Sequence, residues 1–247
     1  MLASDTIAAE IISEANIRPT EAVLEIGTGL AALTIIIAKQ ARLVRTYEID
    51  RSLFNIARSK LSTFQNVEIV CGDAFEVQDL PHFELCVTSL PYSQSLRFLK
   101  WAALNSATIH RFLAIVQSEF ADKLSAATGT ESYRAASVIA QISFDIEKLR
   151  TISSIEFVPQ PRVMSELIRL VPKLVRDQPF FNKKRFAILN SLFSHRKKTL
   201  GAALKRMLPK SVIPSIDTSL LCKRVESLSP DQFRAIIESL EETPHGK

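Results

Sequence analysis

The run from Val23 to Asp50, VLEIGTGLAALTIIIAKQARLVRTYEID, admits few folds. A short apolar strand, Val23 to Ile26, leads straight into Gly27-Thr28-Gly29. A helical stretch from about Leu30 to Gln40 follows, and a second apolar run, Leu43 to Tyr47, ends at Glu48. This pattern predicts the opening of a βαβ unit whose first turn takes a nucleoside-containing ligand. Glycine lets the backbone turn tightly and come close to a ligand where a Cβ would intrude. Glu48 lies 21 residues beyond Gly27, near the spacing of roughly 20 at which an acid meets a ribose hydroxyl.

The details of the turn narrow the ligand. A dinucleotide fingerprint needs a sixth-position glycine, but Ala31 and Ala32 fill the fifth and sixth places. No Lys-Ser/Thr pair follows, which excludes a phosphate-cradling loop of the P-loop type. A Glu-Ile-Gly-Thr-Gly turn with Glu48 on the next strand resembles the S-adenosylmethionine site of class I methyltransferases. The unrelated alternative is a glycine turn in some other α/β protein, and the rest of the chain weighs on that choice.

Strands and helices continue to alternate. Ser4 to Ala15 reads as a helix capped by Ser4 or Asp5, Ser52 to Leu61 as another, and Val67 to Val70 as the third strand. Leu85 to Thr88 is the fourth strand and Phe112 to Gln117 the fifth, with helices over Leu96 to Leu104, Glu119 to Ala127 and Tyr133 to Ile142. Phe144 to Thr151 and Glu166 to Val171 read as an antiparallel closing pair, joined through a stiff Pro159-Gln160-Pro161-Arg162 connection. Thr128 to Ser132 is small and polar and reads as a mobile loop. The fold class expected is α/β, a Rossmann-like doubly wound, mostly parallel sheet. Ligands in such sheets sit at the carboxyl ends of the strands. Gly27, Glu48, Asp73 and Ser89 each fall just past a predicted strand end, so all four are expected on one rim.

Pro172 marks a change. Residues 173–247 carry 15 Lys and Arg against 7 Asp and Glu, whereas residues 1–172 carry 16 against 19. Phe181 to Phe193, Lys197 to Met207 and Pro230 to Leu240 read as helices, with no strand among them. Nine basic residues and no acid lie between Lys183 and Lys210, which concentrates a polyanion-binding surface in this tail. Two domains are therefore expected, 1–172 and 173–247. Cys71, Cys86 and Cys222 are scattered without metal-ligand spacing, so no metal is expected and a reduced cytoplasmic setting fits. The apolar run Leu30 to Ala38 is too short to span a bilayer. Met1 to Glu10 lacks the basic start of a secretory signal. No internal repeat is present.

Ser89-Leu90-Pro91-Tyr92 is the candidate reacting end. An exocyclic amine on a base is a poor nucleophile because its lone pair is delocalised into the ring. Hydrogen bonds accepted from that amine, by the Ser89 side chain and the Leu90 carbonyl, free the lone pair. Pro91 fixes the backbone, and Tyr92 offers a face on which a turned-out base can stack.

With these residues in view, the chain resembles the ribosomal RNA adenine dimethyltransferase family along nearly its whole length. Leu24 to Leu30 with Leu33-Thr34, Tyr47 to Asp50 and Gly72-Asp73-Ala74 are similar to the family's first three motifs. Gln117 to Ala121, Tyr133-Arg134 with Ser137-Val138, and Pro159 to Val163 with Ser165 fit as well. Phe193-Ser194-His195-Arg196-Lys197-Lys198-Thr199-Leu200 resembles the basic signature of the family's small helical domain. The resemblance implies that Gly27 contacts the methionine part, Glu48 the ribose and Asp73 the adenine of S-adenosylmethionine, with Glu25, Gly29, Ala74 and Ser89 beside them. It implies RNA contacts at Arg196, Lys197 and Lys198, and a small-subunit rRNA or immature small ribosomal subunit as partner of a monomeric enzyme. Two departures stand out. The family's basic N-terminal arm ends in Gln-x-Phe-Leu, of which only Met1-Leu2 remains, so Leu2 is the one arm residue carried over. The family has Asn where this chain has Ser89, although Ser-Pro-Pro-Tyr/Trp tetrads serve enzymes that methylate cytosine N4. A ribosome-assembly factor that keeps the fold without the chemistry is the alternative reading.

Overall fold

A computed structural model of the chain describes residues 2, 4–173, 178–207 and 216–242. Strands β1 (Ala22–Ile26), β2 (Leu43–Glu48), β3 (Val67–Cys71), β4 (Leu85–Thr88), β5 (Phe112–Gln117), β6 (Phe144–Ile152) and β7 (Ser165–Pro172) form one sheet. Its order is β3-β2-β1-β4-β5-β7-β6, with the first five parallel and β7 antiparallel to both neighbours. The expected mostly parallel α/β sheet and its antiparallel closing pair are both present.

The register creates the rim. Ile26 lies opposite Tyr47 on one side and Thr88 on the other, while Glu48 lies opposite Cys71. The residues that follow these ends, Gly27, Gly72-Asp73 and Ser89, therefore leave the sheet at one level, beside Glu48. Side chains alternate between two cores. Ala22, Leu24 and Ile26 join the larger core, and Val23 joins the smaller one under α1 (Asp5–Ser13) and α2 (Ala32–Ala38).

Helix starts follow their caps. Ser4 accepts from the Ile7 N–H at 3.3 Å, which settles the first cap on Ser4. Asp50 caps α3 (Arg51–Lys60) by accepting from the N–H groups of Ser52 and Leu53 at 2.7 and 3.0 Å. Next come α4 (Ser95–Leu104), α5 (Ser118–Leu124) and α6 (Ala135–Ser143). The tail holds α7 (Lys183–Phe193), α8 (Leu200–Met207), the single turn α9 (Thr218–Leu221) and α10 (Pro230–Glu242). Helix α8 begins at Leu200 rather than Lys197, so Arg196, Lys197 and Lys198 lie in the turn before it. The end of the acid-free run at Lys210 falls outside the described residues.

The tail helices share the larger core with the sheet. Tyr133 is fully buried and donates its hydroxyl to the Leu228 carbonyl at 2.9 Å, and Phe193 lies between Tyr133 and Phe233. The Thr128–Ser132 loop is tied to this tail as well. Gly129 N–H donates to the Glu226 carbonyl at 2.9 Å, and Thr130 Oγ1 donates to the Ala127 carbonyl at 2.7 Å. A polar composition indicated a free loop; the structure anchors it through backbone hydrogen bonds. No described helix is long and apolar enough to cross a membrane.

Candidate active site

A cavity of about 650 Å³ opens at the carboxyl ends of β1, β2, β3 and β4. Gly27, Glu48, Asp73 and Ser89 all line it, as do Glu25, Gly29, Ala74 and the tetrad residues Leu90, Pro91 and Tyr92. Leu2 reaches it too, held by an isolated antiparallel bridge to Phe157. Every cofactor and tetrad residue expected from the sequence thus meets in one space.

Gly27 takes φ +89°, and a Cβ there would stand 3.3 Å from Leu90 Cδ2. The glycine is required both by backbone conformation and by the closeness of the tetrad. Ala31 takes φ +67° at the start of α2 and is fully buried. It is the fifth position of the fingerprint, just before the missing sixth-position glycine at Ala32, and an alanine holds the left-handed conformation there.

The acids are individually organised. Glu48 accepts from Gly29 N–H at 2.7 Å through Oε2 and from Asp50 N–H at 2.9 Å through Oε1, which fixes its carboxylate beside the glycine turn. Each oxygen retains a second lone pair for a ligand hydroxyl. Asp73 accepts from Phe75 N–H at 2.9 Å and pairs with Arg97 at 2.8 Å. Arg97 also pairs with Glu76 at 2.6 Å, lies 4.7 Å from the centre of the Phe75 ring, and lines the cavity. No local signal points to Arg97, because the pair joins the loop after β3 to the first turn of α4. Glu25 is fully buried and accepts from Thr34 Oγ1 and Thr46 Oγ1, both at 2.6 Å, through Oε2. Its Oε1 has no hydrogen-bond partner among the described residues. Burial, with a smaller contribution from the charge of Glu48, pushes the Glu25 carboxyl up to about 7 against these two hydrogen bonds.

At the reacting end, Tyr92 exchanges a 2.5 Å hydrogen bond with the buried Ser165 hydroxyl at the start of β7. This anchors the ring of Tyr92 at the cavity wall. Pro159 and Pro161 of the stiff connection line the same wall, with Ile115 of β5 and Phe157. Ile115 and Phe157 were hidden in the sequence among ordinary core residues.

A second concavity, of about 560 Å³, lies where the tail meets the sheet part. Lys197 and Lys198 line it with Arg134 and Arg206. Arg196 lines it also, but its guanidinium is engaged by Glu226 at 2.8 Å. Arg134 and Arg206 extend the basic patch beyond the three residues expected. Among the described residues no group of three His, Cys, Asp or Glu side chains could hold a metal ion.

A mostly parallel sheet with a glycine turn, an acid on the second strand, an acid after the third and a polar-Leu-Pro-Tyr tetrad after the fourth defines a class I methyltransferase. The sequence profile described as ribosomal RNA adenine dimethylase matches residues 1–242, and the chain belongs to that family. Ribosomal RNA small subunit methyltransferase A of Thermotoga neapolitana is 33% identical over 237 residues, covering 94% of this chain and 85% of the relative. The protein of the same name from Bacillus cytotoxicus is 31% identical over 257 residues, covering 95% and 86%. The crystal structure of the 23S rRNA methyltransferase ErmE superposes with a TM-score of 0.66 at 26% identity, covering 98% of this chain and all of that one. A dimethyladenosine transferase from Plasmodium falciparum shares the fold, with a TM-score of 0.81 at 23% identity over 97% and 95% of the two chains.

Proposed function

We propose that this chain transfers methyl groups from S-adenosylmethionine to the N6 atoms of adenosines in small-subunit rRNA, giving N6,N6-dimethyladenosine on the immature small ribosomal subunit. The observation that carries the reading is the convergence of Gly27, Glu48, Asp73 and the Ser89–Tyr92 tetrad on one cavity. The residues present fit the cofactor: a cradle at Gly27 that a Cβ would fill, a Glu48 carboxylate beside the turn, and apolar walls from Leu2, Leu33 and Ile115. Bound there, S-adenosylmethionine would supply an electrophilic methyl group. Ser89 Oγ and the Leu90 carbonyl accept hydrogen bonds from the target amine, and the Tyr92 ring, held by Ser165, receives the base. In this reading residues 1–172 form the catalytic domain and 173–247 a helical RNA-binding domain of a cytoplasmic monomer. The test is transfer of labelled methyl groups to immature small subunits, followed by nucleoside analysis. Absence of labelled dimethyladenosine overturns the proposal.

Glu48→Ala is expected to weaken S-adenosylmethionine binding at least tenfold, since a hydrogen bond to a charged group contributes roughly 1.5–3 kcal/mol. The substitution also frees the N–H groups of Gly29 and Asp50, so Glu48→Gln should lose less than Glu48→Ala. Calorimetry on both variants decides this, and unchanged affinity in Glu48→Ala removes the residue from the site.

For RNA docking, Lys197→Gln with Lys198→Gln is the cleaner variant, because Arg196 also holds Glu226. Each phosphate contact contributes roughly 0.7–0.9 to the slope of log affinity against log salt. The double variant should bind rRNA more weakly, with a slope reduced by about 1.5 if both lysines meet phosphates. Cofactor affinity should not change. A salt slope equal to wild type would make this turn a solvated face.

A further inference from the structure

Among the cavity's acids, Glu25 alone has no positive and no backbone partner among the described residues. It sits on the β1 face that looks towards α2, fully buried, with both hydroxyl donors on one oxygen and the other oxygen orphaned. Thr46 commits its proton to Glu25, so Thr28 donates to Thr46 in their 2.6 Å contact. The donors around Glu25 are therefore neutral and already in use. The titratable groups facing it offer no relief. Glu48 on β2 is an acid, and the buried Cys86 thiol on β4 is pushed up by burial and then by the Glu25 charge itself. Asp50 is turned to its helix cap, and Asp73 is paired with Arg97. A buried carboxylate without a cation is costly, and protonation is the usual escape.

The orphaned oxygen belongs to a residue that lines the cofactor cavity. We propose that Glu25 is the counter-ion for a cationic cofactor and that it releases its proton when that cofactor binds, so that affinity rises with pH. The proposal rests on the reading that this cavity takes S-adenosylmethionine, which brings a positive ammonium and a positive sulfonium. In the free protein the Glu25 O–H is intact; on binding, that bond breaks, the proton passes to solvent, and the carboxylate faces the ligand's positive charge. The residue acts on binding and takes no part in transfer.

The sign follows from linkage. A site that must be ionised to bind, but is protonated below about pH 7 in the free protein, loses affinity as pH falls. An α-amino group stays protonated below roughly pH 7.7, so the window from pH 5.5 to 7 isolates Glu25 from the ligand's own titration. Across it, S-adenosylmethionine affinity should rise on the order of tenfold. The measurement is calorimetric titration of the full chain with S-adenosylmethionine in buffers of different ionisation enthalpy. About one proton should be released per ligand at pH 6 and about half a proton at pH 7. Glu25→Gln should bind more weakly, without proton release and without pH dependence in this window. Wild type that binds at pH 6 and releases no proton overturns the inference, as does Glu25→Gln that still releases one. If the variant does not fold, the wild-type proton count alone decides. Wild type that binds no S-adenosylmethionine at any pH overturns the cofactor reading itself, a different result from binding without proton release.

Discussion

Replacing Arg111 by alanine should lower the free energy of unfolding by about 3–5 kcal/mol, the usual cost of stranding one member of a buried ion pair. Glu21 enters β1 with 1% of its side chain exposed, and Arg111 binds it through two contacts of 2.9 and 2.6 Å. The same guanidinium donates to the Ala15 carbonyl at 3.2 Å, so one side chain ties the end of α1 to the starts of β1 and β5. Arg18 adds its backbone N–H and a 2.7 Å ion pair. Together these hold the Glu21 carboxyl down from 4.5 to about 2, with the Arg111 hydrogen bonds the largest cause. Because the folded value lies below the unfolded one, the stabilisation is complete above about pH 4.5 and is lost as pH falls towards 2. At about 1.36 kcal/mol per pKa unit the acid loss is about 3 kcal/mol, on the scale of the substitution itself. Urea unfolding at pH 7 and at pH 3 checks both. Arg111→Ala should be weaker at pH 7 and show a flatter acid limb, and Glu21→Gln added to it should recover part of the loss. A variant within 1 kcal/mol of wild type would mean that the pair does not hold the sheet. The pair stands at the opposite end of β1 from Gly27, so cofactor affinity of the folded variant should be unaffected.

That ion pair marks the boundary between what the chain declares locally and what only the fold creates. Gly27, Glu48, Asp73 and Ser89 could be placed on one rim because each follows an apolar run and parallel strands end together. The first cap was narrowed to two residues, since Ser4 and Asp5 both precede the apolar periodicity, and hydrogen bonding chose Ser4. Some helix ends lie inside the apolar pattern, as α2 stops at Ala38 where the pattern runs to Gln40 and α5 at Leu124 where it runs to Ala127, while α10 runs on to Glu242, beyond Leu240. Long-range side-chain pairs left no trace. Nothing near Arg97 indicates Asp73, nothing near Arg196 indicates Glu226, and the Thr128–Ser132 loop finds its anchor almost 100 residues away. Charge counting therefore picks out the basic tail but cannot separate Lys197 and Lys198, which are exposed, from Arg196 and Arg185, which hold Glu226 and Glu241. Glu25 lies between the two cases. An acid inside the apolar strand VLEI points to the cavity, whereas its orphaned oxygen is visible only once Thr34 and Thr46 are in place.

Ser89→Ala should cut the rate of methyl transfer by on the order of 2–4 kcal/mol in barrier, by analogy with loss of one oxyanion-hole donor, with little change in cofactor affinity. Ser89 is half-buried at the cavity wall, and Leu90 packs against the Gly27 turn. In the proposed function the Ser89 hydroxyl is the tetrad's side-chain acceptor for the amine, and its contact would strengthen as nitrogen becomes tetrahedral. Such a loss appears in kcat rather than in binding. Ser89→Asn restores the family's residue and should keep or raise the rate, since a carboxamide reaches further into the cavity. Tyr92→Phe supplies the internal control: it breaks the 2.5 Å bond to Ser165 and loosens the ring without touching the acceptor. Its effect should fall mainly on KM for RNA. Single-turnover transfer to immature small subunits separates these outcomes. If Ser89→Ala is as fast as wild type, the Leu90 carbonyl carries the amine contact alone. If wild type transfers nothing and Ser89→Asn does, the chain has kept the family's fold and cofactor cavity while losing its chemistry at a single side chain.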